Sequence, residues 1–370
     1  MKNKPRKKHT APNTDKKRIL ITGNEAIGEA AVRAGCGFYA GYPITPQNEL
    51  TAYMARRMSQ ERKIFIQAES EIAAINMVFG ASSAGARSMT TSSSPGISLK
   101  QEGISYLAGA QLPAVIANVM RGGPGLGNIA PSQSDYFQAT KGGGHGDYHL
   151  IALAPASVQE CFDLTQLAFD LSDRYRNPAI ILLDAFLGQM AEPIKITHQD
   201  TKTQGRKVKK EWALTGAAGR SPNVIRSFFL KDPGLEEHNL ILQKKYERIK
   251  SKERRFEAFD IEDSDIIFVS YGIPFRIARQ AAQRLRSEGI RAGLFRPVTL
   301  WPYPYQELEK ACARKKAVFV FELSYGQMLE DVKLALGKDI PIYFYGRGGG
   351  GVFTEGELIR FAKTKIKSKP

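Results

Sequence analysis

Cysteine is scarce in this chain of 370 residues: Cys36, Cys161 and Cys312 stand far apart, and no two form a Cys-x-x-Cys pair. That excludes a disulfide scaffold, a zinc finger and an iron–sulfur cluster ligated by this chain alone. Long apolar runs are missing as well. None reaches the ~18 residues that a bilayer-spanning helix needs, and the N-terminus carries no apolar core of a secretory signal. The expected setting is therefore a reducing cytoplasm, with no membrane partner. Acidic residues are in deficit, 37 against 53 Lys and Arg, which leaves a formal net charge of +16. The excess is local. Residues 1–18 hold a net +7 and residues 195–260 another +7, so the remaining 286 residues carry only +2. A nucleic-acid-binding protein is expected to display a basic stripe on a folded face, beside aromatics or a known motif. A basic tail and a basic connector fit solvated segments better. No nucleic-acid partner is expected, and binding to nucleic acid or an anionic surface stands as a distant alternative that rests on charge alone.

What is present reads as a globular α/β chain. Hydrophobic residues make up 42% and charged ones 24%, ordinary values for a packed protein, and the length suits about two domains. From residue 19 to about 194, short apolar runs alternate with amphipathic stretches. Phe38–Gly41, Lys63–Gln67, Ser88–Thr91, Ala114–Val119 and Ala179–Leu183 read as strands, and Glu69–Gly85, Ser98–Ala108 and Ser157–Tyr175 as helices. This rhythm predicts a mainly parallel sheet with helices on its faces, which binds ligands in loops beyond the carboxyl ends of its strands. Residues 195–260 form the basic connector, with a predicted helix over Leu235–Phe256 whose buried stripe is Leu240, Leu242, Tyr246 and Ile249. From 261 to 370 a second, smaller α/β domain is expected, with strands at Asp265–Tyr271, Ile290–Leu294 and Ala317–Glu322.

Four strand-end loops carry the candidate chemistry. Gly41-Tyr-Pro-Ile-Thr-Pro46 sets Thr45 between two prolines that restrict the backbone, unless it is a plain strand–helix turn. In Gln67-Ala-Glu-Ser-Glu-Ile-Ala-Ala74, Glu69 suits a helix cap, and Glu71 opens a run of small residues. Thr90-Thr-Ser-Ser-Ser-Pro-Gly96 is a hydroxyl-rich turn that either caps a helix or offers hydrogen bonds to a polar ligand. Met120-Arg-Gly-Gly-Pro-Gly-Leu-Gly-Asn128 sets Arg121 among glycines at a strand end. There it can grip a carboxylate through two hydrogen bonds or form a structural salt bridge. His145 and His149 lie in a glycine loop where their spacing fixes no common face, so no metal is expected. Gly346-Arg-Gly-Gly-Gly-Gly351, ahead of Thr354-x-x-Glu357, has the composition of an anion nest with a following helix start, but lacks the Lys-Ser/Thr of a P-loop.

In this order these loops, with Lys141-Gly-Gly-Gly-His-Gly146, resemble the alpha subunit of 2-oxoacid:ferredoxin oxidoreductases, strongly from about Gly23 to Pro193 and more loosely beyond. The glycine-rich motifs look most like the 2-oxoisovalerate (branched-chain) branch, and next like the 2-oxoglutarate branch. The resemblance implies a parallel-sheet domain that binds the pyrimidine of thiamine diphosphate, followed by a smaller transketolase C-terminal-like domain. It implies oxidative decarboxylation of a 2-oxoacid to an acyl-CoA, with coenzyme A as cosubstrate and ferredoxin as electron acceptor. Glu71 would be the catalytic carboxylate, bonded to the pyrimidine N1′. Tyr42, Pro43, Ile44, Ser93 and Ser94 would line the cofactor, and Thr45 and Arg121 would bind substrate. The thiamine diphosphate would be shared with a beta subunit that carries the diphosphate and Mg site, because Gly146-Asp147 is followed here by Tyr148 and not by a second glycine. Iron–sulfur clusters would sit on partners, with gamma and ferredoxin-like delta subunits possible in the complex, and the chain alone is expected to be inactive. Two positions depart from the usual pattern: Ser94 where Gly is common, and Gln47 where Ser, Ala or Thr is.

Overall fold

The computed structural model describes residues 18–196 and 210–367. The basic tail lies outside them except for Arg18, as does the 197–209 part of the connector. The first unit runs β1 (Arg18–Thr22), α1 (Gly23–Arg33), β2 (Phe38–Gly41), α2 (Asn48–Gln60), β3 (Ile64–Gln67), α3 (Glu71–Ser83), β4 (Ser88–Ser92), α4 (Ser94–Gly109), β5 (Val115–Met120), α5 (Tyr136–Thr140), β6 (Ile151–Leu153), α6 (Val158–Tyr175), β7 (Ala179–Asp184), α7 (Ala185–Gln189) and β8 (Ala191–Lys195). After the connector come α8 (Gly234–Lys252), β9 (Phe256–Phe259), β10 (Ile266–Val269), α9 (Gly272–Ser287), β11 (Ala292–Pro297), β12 (Thr299–Trp301), α10 (Tyr305–Cys312), β13 (Ala317–Glu322), α11 (Gln327–Leu336), β14 (Ile342–Gly346) and α12 (Glu355–Lys367).

The larger sheet has the order β12-β6-β7-β5-β4-β2-β3, and all of its pairs are parallel except β12 with β6. Two of its central strands, β5 and β7, are mostly apolar. Val115–Met120 and Ala179–Asp184 are buried on both faces, as a parallel sheet covered by helices on each side requires. The smaller sheet has the order β14-β13-β10-β11-β9, parallel except for the β9 edge. β1 and β8 pair antiparallel as a separate ribbon.

Each sheet takes one edge strand from outside its own stretch of chain. β9 leaves the connector to pair with β11, and β12 leaves the second unit to pair with β6 of the first. Side chains reinforce this exchange. The buried Arg296 bonds both carboxylate oxygens of Glu160 (2.7 and 2.6 Å), and Arg276 bonds Glu192 at 2.7 Å.

The connector helix forms as expected, but Leu240 is 58% exposed, while Leu242, Tyr246 and Ile249 are buried. The stripe is therefore narrower than the composition suggests. Tyr246 and Ile249 continue from Leu242 at i+4 and i+7, and Leu240 falls off that line. α4 also begins one turn earlier than the amphipathic pattern shows, because Pro95 occupies its first turn, where no backbone N–H is needed.

Candidate active site

β5, β4, β2 and β3 are neighbours in the sheet, so the four loops singled out in the sequence leave the carboxyl ends of four adjacent parallel strands. Chain order reverses between β2 and β4. β2 leads outward to β3, and β4 returns on the other side, which makes this the crevice where such sheets place ligands.

Glu71 is the first residue of α3 and only 6% exposed. The helix dipole favours a carboxylate there. Ser70 is the N-cap and accepts from the Ala73 N–H at 3.1 Å, whereas Glu69 is exposed and does not cap, contrary to the sequence expectation. Among the described residues no donor bonds to the Glu71 carboxylate. Its setting is defined by Gly96: a β-carbon built there would lie 2.5 Å from Glu71 Oε1 and 2.1 Å from Ser92 Oγ. The hydroxyls of Ser92 and of Ser93, the N-cap of α4, are buried without a hydrogen-bond partner. A shielded carboxylate and two unmatched hydroxyls thus meet around a position with no room for a side chain. Buried polar atoms left open in this way call for a polar ligand.

Arg121 follows β5 and is 7% exposed. Its Nη1 donates to the Thr45 carbonyl (2.9 Å), its Nη2 to the Leu126 carbonyl (3.0 Å), and its Nε is buried without a partner. No carboxylate among the described residues pairs with it, so it is not the salt bridge that the sequence left open. Two backbone carbonyls orient the guanidinium and leave its charge unmatched. Thr45 is half-buried, and its hydroxyl accepts from Asn48 Nδ2 at 3.2 Å. Tyr42 and Pro43 are exposed and Ile44 is half-buried, so this loop lies open over the crevice.

The two atypical residues are both braces. Ser94 Oγ donates to Asp135 Oδ2 (2.6 Å) and accepts from the Arg121 N–H (3.0 Å), while the Ser94 N–H donates to Asn118 Oδ1 (3.1 Å). Burial pushes the Asp135 carboxyl up, and its bonds from Ser94 and Asn118 oppose that shift. Gln47 is fully buried. Its Oε1 accepts from Thr91 (2.6 Å) and Thr51 (2.9 Å), and its Nε2 donates to the Tyr42 carbonyl (3.2 Å), fixing the Thr45 loop to β4.

The glycine loop of the second unit also arrives here. Asn128 Nδ2 donates to the Gly349 carbonyl (2.9 Å), and a β-carbon on Gly350 would lie 2.5 Å from that of Ala130. Thr354 and Glu357 form the expected capping box ahead of α12. The His149 ring is taken up by aromatic neighbours. It stacks on Trp301 at 4.4 Å, with Tyr246 edge-on at 5.2 Å. All three cysteines are buried, and burial pushes the Cys36 and Cys312 thiols up to about 12.

Sequence reasoning missed Gly96, Asn118, Asp135 and Lys100. Only Lys100 left a visible trace, a cation at the helical spacing Ile97, Lys100, Ile104, Leu107 that should be apolar.

The family model described as pyruvate flavodoxin/ferredoxin oxidoreductase, thiamine diphosphate-binding, matches residues 29–257, and that of pyruvate:ferredoxin oxidoreductase core domain II matches 264–358. The chain is 48% identical over 342 residues to the ketoisovalerate oxidoreductase subunit VorB of Methanothermobacter marburgensis, covering 92% of this chain and 96% of that one. It is 36% identical over 364 residues to the 2-oxoglutarate synthase subunit KorA of Methanothermobacter thermautotrophicus, covering 92% and 96%. Among solved structures, the 2-oxoglutarate:ferredoxin oxidoreductase from Magnetococcus marinus, with 2-oxoglutarate, coenzyme A and succinyl-CoA bound, superposes with a TM-score of 0.84 at 29% identity, covering 96% of this chain and 67% of that one. A split gene transketolase shares the fold at a TM-score of 0.58 and 15% identity, covering 95% and 99%.

Proposed function

The chain belongs to the pyruvate flavodoxin/ferredoxin oxidoreductase family and is a subunit of a 2-oxoacid:ferredoxin oxidoreductase; from that premise we propose that it presents Glu71 to the pyrimidine of thiamine diphosphate and Arg121 to the carboxylate of a branched-chain 2-oxoacid. One observation carries the reading. A buried carboxylate and a buried guanidinium flank the β2–β4 crevice, and among the described residues no donor bonds the carboxylate and no carboxylate bonds the guanidinium. Buried polar groups with open hydrogen-bonding capacity are costly, so each is expected to find a hydrogen-bond partner in a ligand.

The residues fit the cofactor. Glu71 can accept a hydrogen bond from a protonated ring nitrogen, and the open hydroxyls of Ser92 and Ser93 can serve the ring's other polar atoms. Thiamine diphosphate, when bound, supplies the nucleophilic carbon and the electron sink for decarboxylation. Around it, the protein's part is to hold and orient. Glu71 keeps negative charge at the ring nitrogen, Arg121 fixes the oxoacid carboxylate, and the Gln47 brace holds Thr45 beside it.

The branched-chain preference rests on the loop itself. From 121 to 134 Arg121 is the only charged residue, while Leu126 and Ile129 are exposed. An apolar substrate tail suits that surface, whereas the distal carboxylate of 2-oxoglutarate needs a second cation. The relatives named for ketoisovalerate and for 2-oxoglutarate rank in the same order of identity. Mg, the diphosphate grip and the iron–sulfur clusters belong in this reading to partner subunits, since the thiols here are buried and the Gly-Asp-Tyr turn departs from the Gly-Asp-Gly signature. Such a complex would work in the cytoplasm; no helix among the described residues is long and apolar enough to cross a membrane.

The test is steady-state kinetics of the complex purified with its partners. 2-Oxoisovalerate should exceed 2-oxoglutarate in kcat/KM. Glu71→Gln should lower kcat by roughly 10²–10⁴-fold, the usual worth of a general acid–base contribution. Arg121→Ala should raise KM for the oxoacid. Undiminished turnover in Glu71→Gln would remove its catalytic assignment, and a preference for 2-oxoglutarate would reverse the substrate one.

A further inference from the structure

Lys100 sits where a lysine is seldom found. It is fully buried in the middle of α4, on the face that packs against α3 and β4. Along that face Gly96 meets Glu71 and Ser92, and at Gly103 a β-carbon would lie 2.6 Å from Ile75 Cγ2, so α3 and α4 approach closely at both ends of the seam. Lys100 lies between those two glycines, one turn beyond Gly96. Its ammonium donates to Thr90 Oγ1 at 2.9 Å, and Thr90 precedes Ser92 on the same face of β4. Two rungs result: Ser92, Gly96 and Glu71 above, Thr90 and Lys100 below. One helical turn separates them, about 5.4 Å.

Surrounding charges are few. Glu71 is the only charged residue of α3, and β4 and β5 have none. On α4 the one other charged residue, Glu102, is exposed and accepts from Tyr106 at 2.7 Å. Asp135 is taken up by Ser94 and Asn118. Arg121 is bound to the Thr45 and Leu126 carbonyls. That leaves Glu71 and Lys100 as the two buried charges of this seam, neither with an ion-pair partner within 4 Å among the described residues.

We propose that Lys100 is the buried counter-charge of Glu71, a positioning residue that holds the carboxylate in place at the head of α3. The inference rests on the role given to Glu71 above and goes beyond it by naming what sustains that role. Consistent with it, burial pushes the Lys100 ammonium down to about 8, and the charge of Glu71 opposes that shift. The ammonium therefore persists through neutral pH and is lost only on the alkaline side.

The first experiment needs neither cofactor nor activity. In the full-length chain with 13C at the lysine Cε, the Lys100 resonance, assigned by its absence in Lys100→Met, is followed from about pH 6 to about pH 11. In Glu71→Gln its midpoint should fall by roughly 1–3 units, the effect of removing a nearby opposite charge. An unchanged midpoint would overturn the pairing. The second experiment uses the loaded complex. Wild-type kcat should decline above a midpoint of about 8. Lys100→Met, which keeps the chain length without the charge, should lose about tenfold in kcat, the size of a one-unit change in proton affinity, and should lack the alkaline limb. Wild-type turnover and an unaltered pH profile in Lys100→Met would also overturn the proposal. Full activity of Glu71→Gln would instead remove the proposed function, while the resonance shift would still report the charge pair.

Discussion

Gly96 governs the site by having nothing beyond its α-carbon. Its neighbours on two other elements, Glu71 Oε1 and Ser92 Oγ, already occupy the space a methyl group would take. Gly96→Ala must therefore move either α4 or the carboxylate. Overpacking of a close seam costs about 1–3 kcal/mol, so urea unfolding should show a loss in that range, and turnover of the purified complex should fall with it. Wild-type turnover in a Gly96→Ala protein would mean that Glu71 is not held where the reaction needs it. At this scale the sequence is uneven in what it reveals. Thr45 and Arg121 drew attention because each stands at a strand end in a motif of unusual composition, while the role proposed for Glu71 came from the family resemblance and not from its spacing. The partners that make them usable were not legible. Asn118 and Asp135 are ordinary polar residues 17 positions apart, and they become a unit only because β5 and the loop after it return to the start of α4. Gln47 looked like a departure near the pocket and proves to be the bolt between the Thr45 loop and β4.

Among elements, the connection from β5 to β6 is the one whose shape depends most on distant sequence. It carries Arg121 at its start, and α11 with the loop before it grips its middle. Gln133 exchanges hydrogen bonds with the Leu323 backbone and donates to the Tyr271 carbonyl, Gln327 bonds the Ser134 carbonyl and the Phe137 N–H, and Asp331 accepts from Tyr136 at 2.6 Å and pairs with Lys141. Periodicity cannot reveal such pairs, which lie about 190 residues apart. The end of the same connection is tied down by the ring of His149 between Trp301 of β12 and Tyr246 of α8. Burial, aided by the charges of Lys250 and Lys141, pushes this imidazole down to about 4, from 6.5 when free. The unfolded chain then binds the proton more readily than the folded one. Stability from this stack is fully present above about pH 6.5 and drains away as the pH falls through about 4. His149→Phe, which keeps a ring and removes the proton site, should flatten the dependence of the unfolding midpoint on pH over that interval. Parallel pH profiles for the two proteins would show that the acid sensitivity lies elsewhere.

For the molecule as a whole, the decisive trait is the exchange of edge strands. The alternation of strands and helices correctly announced an α/β fold with mainly parallel sheets, because parallel sheets need buried apolar strands and amphipathic crossovers. It could not announce that β9 and β12 would be traded. Each is three or four residues long, too short for alternation to register. With the larger sheet completed by a strand of the second unit, the smaller one by a strand of the connector, and Arg296 and Arg276 bridging the two, the units share a stability. Differential scanning calorimetry of the protein should give one unfolding transition, with equal calorimetric and van't Hoff enthalpies. Two resolved peaks would show that the units melt independently.

The same trade sets an order on the ribosome. β6 emerges about 150 residues ahead of β12, the strand that covers its open edge. At ~5–20 residues per second the larger sheet must wait roughly 7–30 s for its last strand, with one row of backbone donors and acceptors exposed. A nascent chain that stalls between these strands would therefore be the form of this protein most prone to pair with its neighbours, and β6 the place where that pairing begins.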